Sequence, residues 1–178
     1  DFTWGGAGPF ATKVLADNGA EVIKVETSTH YDFPRTMGPY AGSIKGVNRS
    51  AYFTNRNSGK RSVAINLKKK EAVQALKRLV PTVDIVANNF RAGVLEKLGF
   101  GYQQLAAIRP DLIYVSMPLQ GSAGPQAEFS GVGHTLNVLA GIFGVTGYDD
   151  GTLVGPGTNY PDHSVNPGHA MVAIMSAL

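Results

Sequence analysis

The stretch SVAINLKKKEAVQALKRLVPTVDIVA, residues 62–87, decides the fold class of this chain. Its first residues, 62–67, and its last, 84–87, are short runs with the composition of β-strands. Between them, apolar residues recur at the spacing of one helix face: Ala72, Val73, Leu76 and Leu79. A strand, a helix and a second strand in this order predict a βαβ unit with parallel strands.

The same alternation continues outward on both sides of this unit. Residues 20–25 and 112–117 predict two more strands, and Asp1-Phe2-Thr3-Trp4 has the pattern of a strand's last residues. Helices are expected after Gly8-Pro9, over 102–108, over 134–147 and from Pro167 onward. The chain therefore predicts an α/β fold with a parallel sheet. Ligands of such sheets sit beyond the carboxyl ends of strands, here the loops after Val25, Ala87 and Met117.

Composition and charge exclude several classes of protein. The 178 residues suit one domain, and the absence of Cys excludes disulfides, thiolate metal sites and a Cys nucleophile. No apolar run approaches the length of a membrane helix and no signal peptide opens the chain, so we expect a cytoplasmic protein with no membrane contact. The net charge is only +3, and the one basic run, residues 68–70, precedes a helix, so no nucleic acid is expected. The four His residues have no metal-ligand spacing, so no metal is expected.

Both ends of the sequence suggest a piece of a longer polypeptide. The chain begins at Asp1 without Met and stops at Leu178 within an apolar helical pattern that carries no C-cap signal.

Several short motifs together resemble one known family. They are Asp1-Phe2-Thr3, Ala7-Gly8-Pro9, GAEVIKVE at 19–26, NSGKRS at 57–62, Asn89-Phe90-Arg91, LGFGY at 98–102 and PDLIY at 110–114. In this order and spacing they resemble the class III CoA-transferases, the CaiB/BaiF family.

The resemblance carries expectations about architecture and partners. It implies a Rossmann-like parallel sheet flanked by helices, with residues 1–178 as the N-terminal part of the large CoA-binding domain and the small domain absent. It also implies coenzyme A as the cofactor, brought in as acyl-CoA, with a free carboxylic acid as the second substrate. Two subunits of the family interlock like chain links, as a homodimer or with a related subunit.

The resemblance further implies that Asp162 is the nucleophile, in Asn159-Tyr160-Pro161-Asp162-His163. A carboxylate that attacks a thioester forms a mixed anhydride and expels the CoA thiolate, which divides a difficult exchange into easier steps. From the residues alone, a turn or helix-start residue is the favoured interpretation of this aspartate.

Ten residues match CoA-contacting positions of the family. A cofactor with three phosphates and an adenine requires cations and a flat apolar slot, and the matching residues are Trp4, Gly6, Ala7, Lys60, Arg61, Asn89, Phe90, Arg91, Lys97 and Leu98. Lys60 and Arg61 are expected to form a basic turn over the nucleotide, and 89–91 to contact adenine.

Departures from the family keep other interpretations open. Gly6 replaces a glutamine of formyl-CoA transferase, which leaves room for a larger acyl group and disfavours a formyl/oxalate pair, whereas Tyr52 matches an active-site tyrosine. The α-methylacyl-CoA racemases share the fold and use a His followed by Asp, but His134 is followed by Thr, so we interpret it as a helix-start or pocket residue. His163 and His169 stay open as acid/base groups. A noncatalytic partner subunit is a further alternative, which the carboxylate of Asp162 disfavours.

Overall fold

The computed structural model describes all 178 residues of the chain. Its strands are β1 (Ile23–Glu26), β2 (Arg61–Ala64), β3 (Ile85–Asn88) and β4 (Ile113–Ser116). Its α-helices are α1 (Ala7–Asp17), α2 (Ala51–Asn57), α3 (Lys70–Lys77), α4 (Val94–Lys97), α5 (Tyr102–Ala106), α6 (Gly133–Leu139) and α7 (Asn166–Ala177). Single 3₁₀ turns occupy Phe33–Thr36, Ala41–Ser43, Val80–Thr82 and Ile142–Val145, and a π-helical turn, Pro161–Val165, leads into α7.

The strands form two parallel pairs, which confirms the predicted α/β fold with parallel strands. β1 pairs with β2 from Ile23 opposite Arg61, and β3 pairs with β4 from Ile85 opposite Ile113. The two strands of each pair are connected through helical segments, as parallel strands require.

Residues 1–3 join the two pairs. The Asp1 backbone nitrogen donates to Ile23 O at 2.9 Å, and Val25 N donates back to Asp1 O at 2.8 Å, which is the alternation of a parallel ladder. On the other side, Phe2 N donates to Ala87 O at 2.8 Å. The order across the molecule is therefore β2, β1, residues 1–3, β3, β4, which is the strand order of a Rossmann-like sheet.

This order locates the crevice in which such sheets bind ligands. The chain moves outward in one direction from residues 1–3 to β1 and β2, and in the other direction to β3 and β4. The strand order thus reverses between residues 1–3 and β3, and their carboxyl ends lead into Trp4-Gly5-Gly6 and Asn89-Phe90-Arg91. The topology alone therefore points to these two loops.

Three helical segments differ from the sequence expectation. The predicted helix 134–147 ends at Leu139, because Gly141 takes a left-handed φ of 74° and starts a separate 3₁₀ turn. Helix α2 was not predicted; Ser50 begins it, and its Oγ accepts from Phe53 N at 3.1 Å as an N-cap. The final helical segment starts at Pro161 rather than Pro167, through the π-helical turn.

One apolar core lies between the sheet and the helices α3 to α5. Nine buried residues form it: Phe2, Val25, Leu76, Val80, Val86, Leu95, Phe100, Leu105 and Leu112. The rings of Phe2 and Phe100 lie 5.1 Å apart, so the middle segment of the sheet is packed as well as hydrogen-bonded. This side of the sheet is therefore rigid, and the loops at its carboxyl edge start from fixed positions.

Candidate active site

Asp162 lies in the π-helical turn at the start of the terminal helical segment. Gly133, the first residue of α6, donates its backbone N–H to Asp162 Oδ2 at 2.8 Å. The side chain is half-buried, and its Oδ1 accepts no hydrogen bond within the chain. A π-helical turn is uncommon and often marks a functional position. The turn here presents a carboxylate with one oxygen fixed and the other free.

Two glycines from distant parts of the chain pack directly on this carboxylate. A Cβ atom on Gly133 would lie 2.9 Å from Asp162 Cγ, closer than real Cβ atoms approach. A Cβ atom on Gly6 would lie 3.2 Å from Asp162 Cβ and 3.6 Å from Tyr52 Oη. The structure therefore brings the predicted residues Gly6, Tyr52 and Asp162 together.

Tyr52 is flanked by His163 and by Arg56, a residue that the sequence did not single out. The ring centroids of Tyr52 and His163 are 6.5 Å apart, and the Arg56 Cζ atom lies 5.4 Å from the Tyr52 ring centroid. Burial lowers the pKa of His163, and the positive charge of Arg56 lowers it further. The negative charge of Asp162 has the opposite, smaller effect. His163 is therefore neutral at neutral pH.

A reciprocal amide pair holds the two crevice loops together. Trp4 N donates to Asn89 Oδ1 at 2.8 Å, and Asn89 Nδ2 donates to Trp4 O at 2.6 Å. The Trp4 and Phe90 rings meet edge to face at 5.7 Å. Trp4, which the family resemblance matches to the thioester end of CoA, therefore lies beside Asn89 and Phe90, which were expected near the adenine. Because both polar groups of the Asn89 side chain are engaged by Trp4, this amide fixes the loops rather than offering free atoms to a ligand.

A cavity of about 500 Å³ opens beside this pair, at the carboxyl edge of the sheet. Aromatic, aliphatic and basic side chains line it, among them Trp4, His30, Ile65, Lys68, Phe90 and Leu98. Trp4, Phe90 and Leu98 were predicted from the sequence, whereas His30, Ile65 and Lys68 were not. A signal for them was available, since Ile65 directly follows β2 and Lys68 lies three residues further on, beyond the carboxyl end of that strand.

A second cavity, of about 560 Å³, lies at the opposite, amino edge of the sheet. Its lining is mostly apolar and includes Val22, Ile23 and Ile85 at the starts of strands. It lies at the wrong edge for the ligand crevice and does not include Asp162 or its neighbours.

The structure does not bring Lys60 and Arg61 to the crevice. Lys60 is buried at the amino end of β2, where its Nζ lies 3.0 Å from Asp1 Oδ2 and donates to Pro9 O and Thr12 Oγ1 at 2.9 and 2.8 Å. Arg61 is exposed and pairs with Glu21 at 3.2 Å. Both lie at the edge opposite the ligand loops, so their predicted contact with the nucleotide gains no support from the geometry.

The other predicted residues lie around the crevice. Arg91 is exposed and directly follows the cavity residue Phe90, and Lys97 is exposed at the end of α4, next to the cavity residue Leu98. Ala7 is buried in the first turn of α1. His134, the histidine considered for racemase chemistry, is exposed, and its ring lies 6.3 Å from that of Phe143.

A buried ion pair fixes the loop that covers Asp162. Lys24 Nζ donates to Thr3 O at 2.7 Å and lies 3.0 Å from Asp32 Oδ2, and both side chains are almost completely buried. Asp32 Oδ1 accepts from Gly5 N at 2.8 Å. Burial lowers the pKa of Lys24 and raises the pKa of Asp32, in each case against the attraction of the partner. The pair thus ties both ends of the Trp4-Gly5 turn to the sheet.

A second ion pair anchors the following loop. Arg35 donates from Nε and Nη2 to the two carboxylate oxygens of Glu26, at 2.9 and 2.6 Å, and Asp32 N donates to the same carboxylate at 3.0 Å. Burial opposes ionisation of Glu26, but the hydrogen bonds from Arg35 and from Asp32 N hold its pKa below the usual value.

Comparisons with known proteins agree with this fold. The family model described as CoA-transferase family III matches residues 1–178. The chain is 41% identical over 157 residues to an acetyl-CoA:oxalate CoA-transferase of Acetobacter aceti, covering 87% of this chain and 39% of that protein. It is 36% identical to the succinyl-CoA:glutarate CoA-transferase of Homo sapiens, and the match covers 97% of this chain and 38% of that protein. The crystal structure of a CaiB/BaiF family protein from Brucella suis superposes with a TM-score of 0.88 at 35% identity. The superposition covers 99% of this chain and 46% of that protein.

The Rossmann-like parallel sheet with its helices is that of a CoA-transferase fold. The chain belongs to CoA-transferase family III. It spans about two fifths of the length of the curated relatives it matches. None of its helices combines the length and apolar character needed to cross a membrane.

The Glu26–Arg35 pair makes stability depend on pH. Because the folded-state pKa of Glu26 is depressed, its stabilisation is present above the unfolded value of about 4.3 and is lost as pH falls through the folded value. We expect Glu26→Gln to be less stable than wild type at pH 7, with the difference narrowing below about pH 4. Thermal unfolding between pH 3 and 7 measures this. The exposed Glu71→Gln is the control, and a difference independent of pH would contradict the assignment.

Proposed function

We propose that the full-length protein is a CoA-transferase that moves CoA between an acyl-CoA thioester and a free carboxylate. The observation that carries the proposal is the Asp162 carboxylate, held by the Gly133 N–H with its Oδ1 free, in a chain of CoA-transferase family III. The names of the relatives, acetyl-CoA:oxalate and succinyl-CoA:glutarate CoA-transferase, support the same reaction class.

In the first half of the reaction, Asp162 Oδ1 attacks the thioester carbonyl carbon and the C–S bond breaks. The products are a mixed anhydride on Asp162 and the CoA thiolate, which takes the bond's electron pair. The thiolate then attacks the Asp162 carbonyl carbon and expels the donor acid as a carboxylate. Asp162 now carries CoA as a thioester.

The second half reverses these steps with the acceptor acid. Its carboxylate attacks the Asp162 thioester, releases the thiolate and forms a new anhydride. The thiolate attacks the acyl carbon of that anhydride, so that the new acyl-CoA leaves and the Asp162 carboxylate is regenerated. No proton has to be transferred in the cycle, which agrees with a site in which His163, the residue after Asp162, is neutral.

The Gly133 N–H is proposed to act twice. In the resting enzyme its bond to Oδ2 orients the carboxylate and leaves Oδ1 as the attacking atom. When the thiolate attacks the acylated Asp162, negative charge develops on Oδ2, and the same N–H is already in place to stabilise it. The close packing of Gly6 and Gly133 leaves little room for water beside the anhydride, which water would otherwise hydrolyse.

The cavity at the carboxyl edge is the proposed site of the CoA nucleotide. Trp4, Phe90, Ile65 and Leu98 offer apolar surfaces for adenine, and Lys68 offers a cation for a phosphate. Arg91, on the exposed rim after Phe90, is the proposed second cation. Lys60 and Arg61 take no part in this proposal because of their position at the opposite edge.

Three further expectations stay predictions for the full-length protein. Residues 1–178 are proposed to form the N-terminal part of the large CoA-binding domain. The protein is also proposed to form an interlocked dimer and to act in the cytoplasm. Size measurement of the full-length protein in solution tests the dimer.

Removal of the nucleophile tests the reaction class. We expect Asp162→Asn to lower acyl exchange by about a thousandfold or more while leaving folding and CoA binding nearly intact. Asp150→Asn is the matched control, since Asp150 also accepts a backbone N–H, from Thr152 at 2.9 Å, but lies in an exposed loop. Mass spectrometry of CoA products measures exchange, and hydroxylamine trapping should modify Asp162 in the wild type alone.

Exchange at the wild-type rate in Asp162→Asn would overturn the mechanism. The racemase alternative predicts a different result for the wild type: incorporation of solvent deuterium at the α-carbon of an acyl-CoA with no acceptor acid present.

A single methyl group tests the position of the carboxylate. In Gly133→Ala the new Cβ would lie 2.9 Å from Asp162 Cγ, so the carboxylate has to move. We expect kcat to fall about tenfold or more, because displacement of a reacting group by about 1 Å is costly. Gly144→Ala is the matched control, since no atom lies within 4 Å of its Cβ position. Equal kcat values for the two variants would show that Gly133 does not position Asp162.

Salt dependence tests the nucleotide site. We expect Lys68→Ala to weaken CoA binding, and to do so more at low than at high salt, because salt screens the attraction between an exposed cation and a phosphate. Lys70→Ala, an exposed neighbour at the start of α3, should bind CoA like the wild type. Titration calorimetry at two salt concentrations gives the affinities. A Lys68→Ala affinity equal to that of the control at both would refute the assignment.

A further inference from the structure

Arg56 is a buried cation without an anionic partner. The residue is only 8% exposed, its Nε atom is buried without a hydrogen-bond partner, and the guanidinium makes no salt bridge within the chain. The other well-buried cations, Lys24, Lys60 and Arg35, each have a carboxylate within 3.0 Å. Because a guanidinium stays protonated at any physiological pH, Arg56 cannot avoid this cost by losing its charge.

Aromatic contacts offset only part of that cost. The Arg56 Cζ atom lies 4.8 Å from the Phe10 ring centroid and 5.4 Å from that of Tyr52. Such contacts stabilise a cation, but they satisfy none of the five N–H donors of the guanidinium. A buried arginine in this state is prepared to bind an anion.

The position of Arg56 connects it to Asp162. Tyr52, whose ring contacts the guanidinium, places its hydroxyl 3.6 Å from the Gly6 Cβ position, and Asp162 Cβ lies 3.2 Å from that same position. His163, the residue after Asp162, has its Nε2 buried without a partner. Two unsatisfied polar groups therefore lie on the Tyr52 side of the proposed nucleophile.

We propose that Arg56 binds the second carboxylate of a dicarboxylic substrate whose first carboxylate reacts at Asp162. This inference rests on the proposed function. The reacting carboxylate loses its charge when it becomes an anhydride or a thioester, so it cannot remain the partner of Arg56 through the cycle. A second carboxylate keeps its charge throughout, and the planar guanidinium can bind it with two parallel hydrogen bonds. A carboxylate from another part of the full-length protein would be the competing partner.

The experiment compares acids of equal carbon number in the full-length enzyme. With acetyl-CoA as donor, kcat/KM is measured for succinate against butyrate and for glutarate against valerate. We expect the wild type to prefer the dicarboxylate, and the preference to fall about tenfold or more in Arg56→Met, since a charge-assisted bidentate contact is lost. Arg56→Lys should recover part of the preference. Arg78→Met, which removes an exposed arginine at the end of α3, should keep it fully.

Ligand stabilisation gives a second readout that needs no turnover. In the Asp162→Asn variant, succinate should raise the unfolding temperature and butyrate should not, and the additional Arg56→Lys change should reduce the shift. This measurement decides the question if Arg56→Met does not fold.

The outcomes separate the two proposals. If no acid accepts CoA, the proposed function fails. If acids accept CoA but the wild type shows no preference for dicarboxylates, or Arg56→Met retains that preference, the proposed function stands and the role of Arg56 is overturned. Succinate and butyrate with equal effects on unfolding would likewise show that Arg56 does not bind the second carboxylate.

Discussion

The fold depends on the hydrogen bonds that residues 1–3 make on both sides. Without the bonds of Asp1 to β1 and of Phe2 to β3, the four strands would be two separate parallel pairs. Two-stranded parallel pairs have too little buried surface to be stable alone. With the middle segment in place, Phe2 packs into the core and the strand order reverses beside it. The ligand crevice is therefore a direct consequence of three residues.

The charges around this segment explain why it is fixed so firmly. Lys60 pairs with Asp1 at the amino end, and Lys24 binds Thr3 O and Asp32 toward the carboxyl end. Each has a carboxylate and further oxygen acceptors, but burial still lowers the pKa of both lysines, that of Lys60 to about 6, so the partners offset only part of the desolvation. These pairs act as geometric constraints: they fix the start and the end of the segment, and Asp32 extends the constraint to Gly5 in the loop over Asp162.

The sequence predicted the strands, whose pattern is local, and missed the roles of side chains that depend on contacts with distant residues. All four strands lie within a few residues of their predicted positions, because their apolar composition is visible in short windows. The structure places Trp4 beside Phe90 and Gly6 beside Asp162, although the two members of each pair lie far apart in the sequence. Lys60 looked like a ligand-binding cation because its partner Asp1 lies 59 residues away. Composition likewise gave no sign that Arg56 is buried, since an arginine in a polar segment is normally exposed.

The surroundings of Asp162 show why the residues of this site are hard to predict from the sequence. Asp162 is defined by Gly6 from the first loop, Gly133 from α6 and Tyr52 from α2, three elements that have no sequence relation to one another. Two of these residues, Gly6 and Gly133, matter because they lack a side chain that would collide with Asp162. In the sequence, such a glycine looks the same as a glycine in an ordinary turn. The assembly requires that all three elements be held by the sheet and its ion pairs. In this family member, the chemistry of one carboxylate therefore depends on the rigidity of the fold around it, so that even a methyl group added beside the carboxylate is expected to slow the reaction.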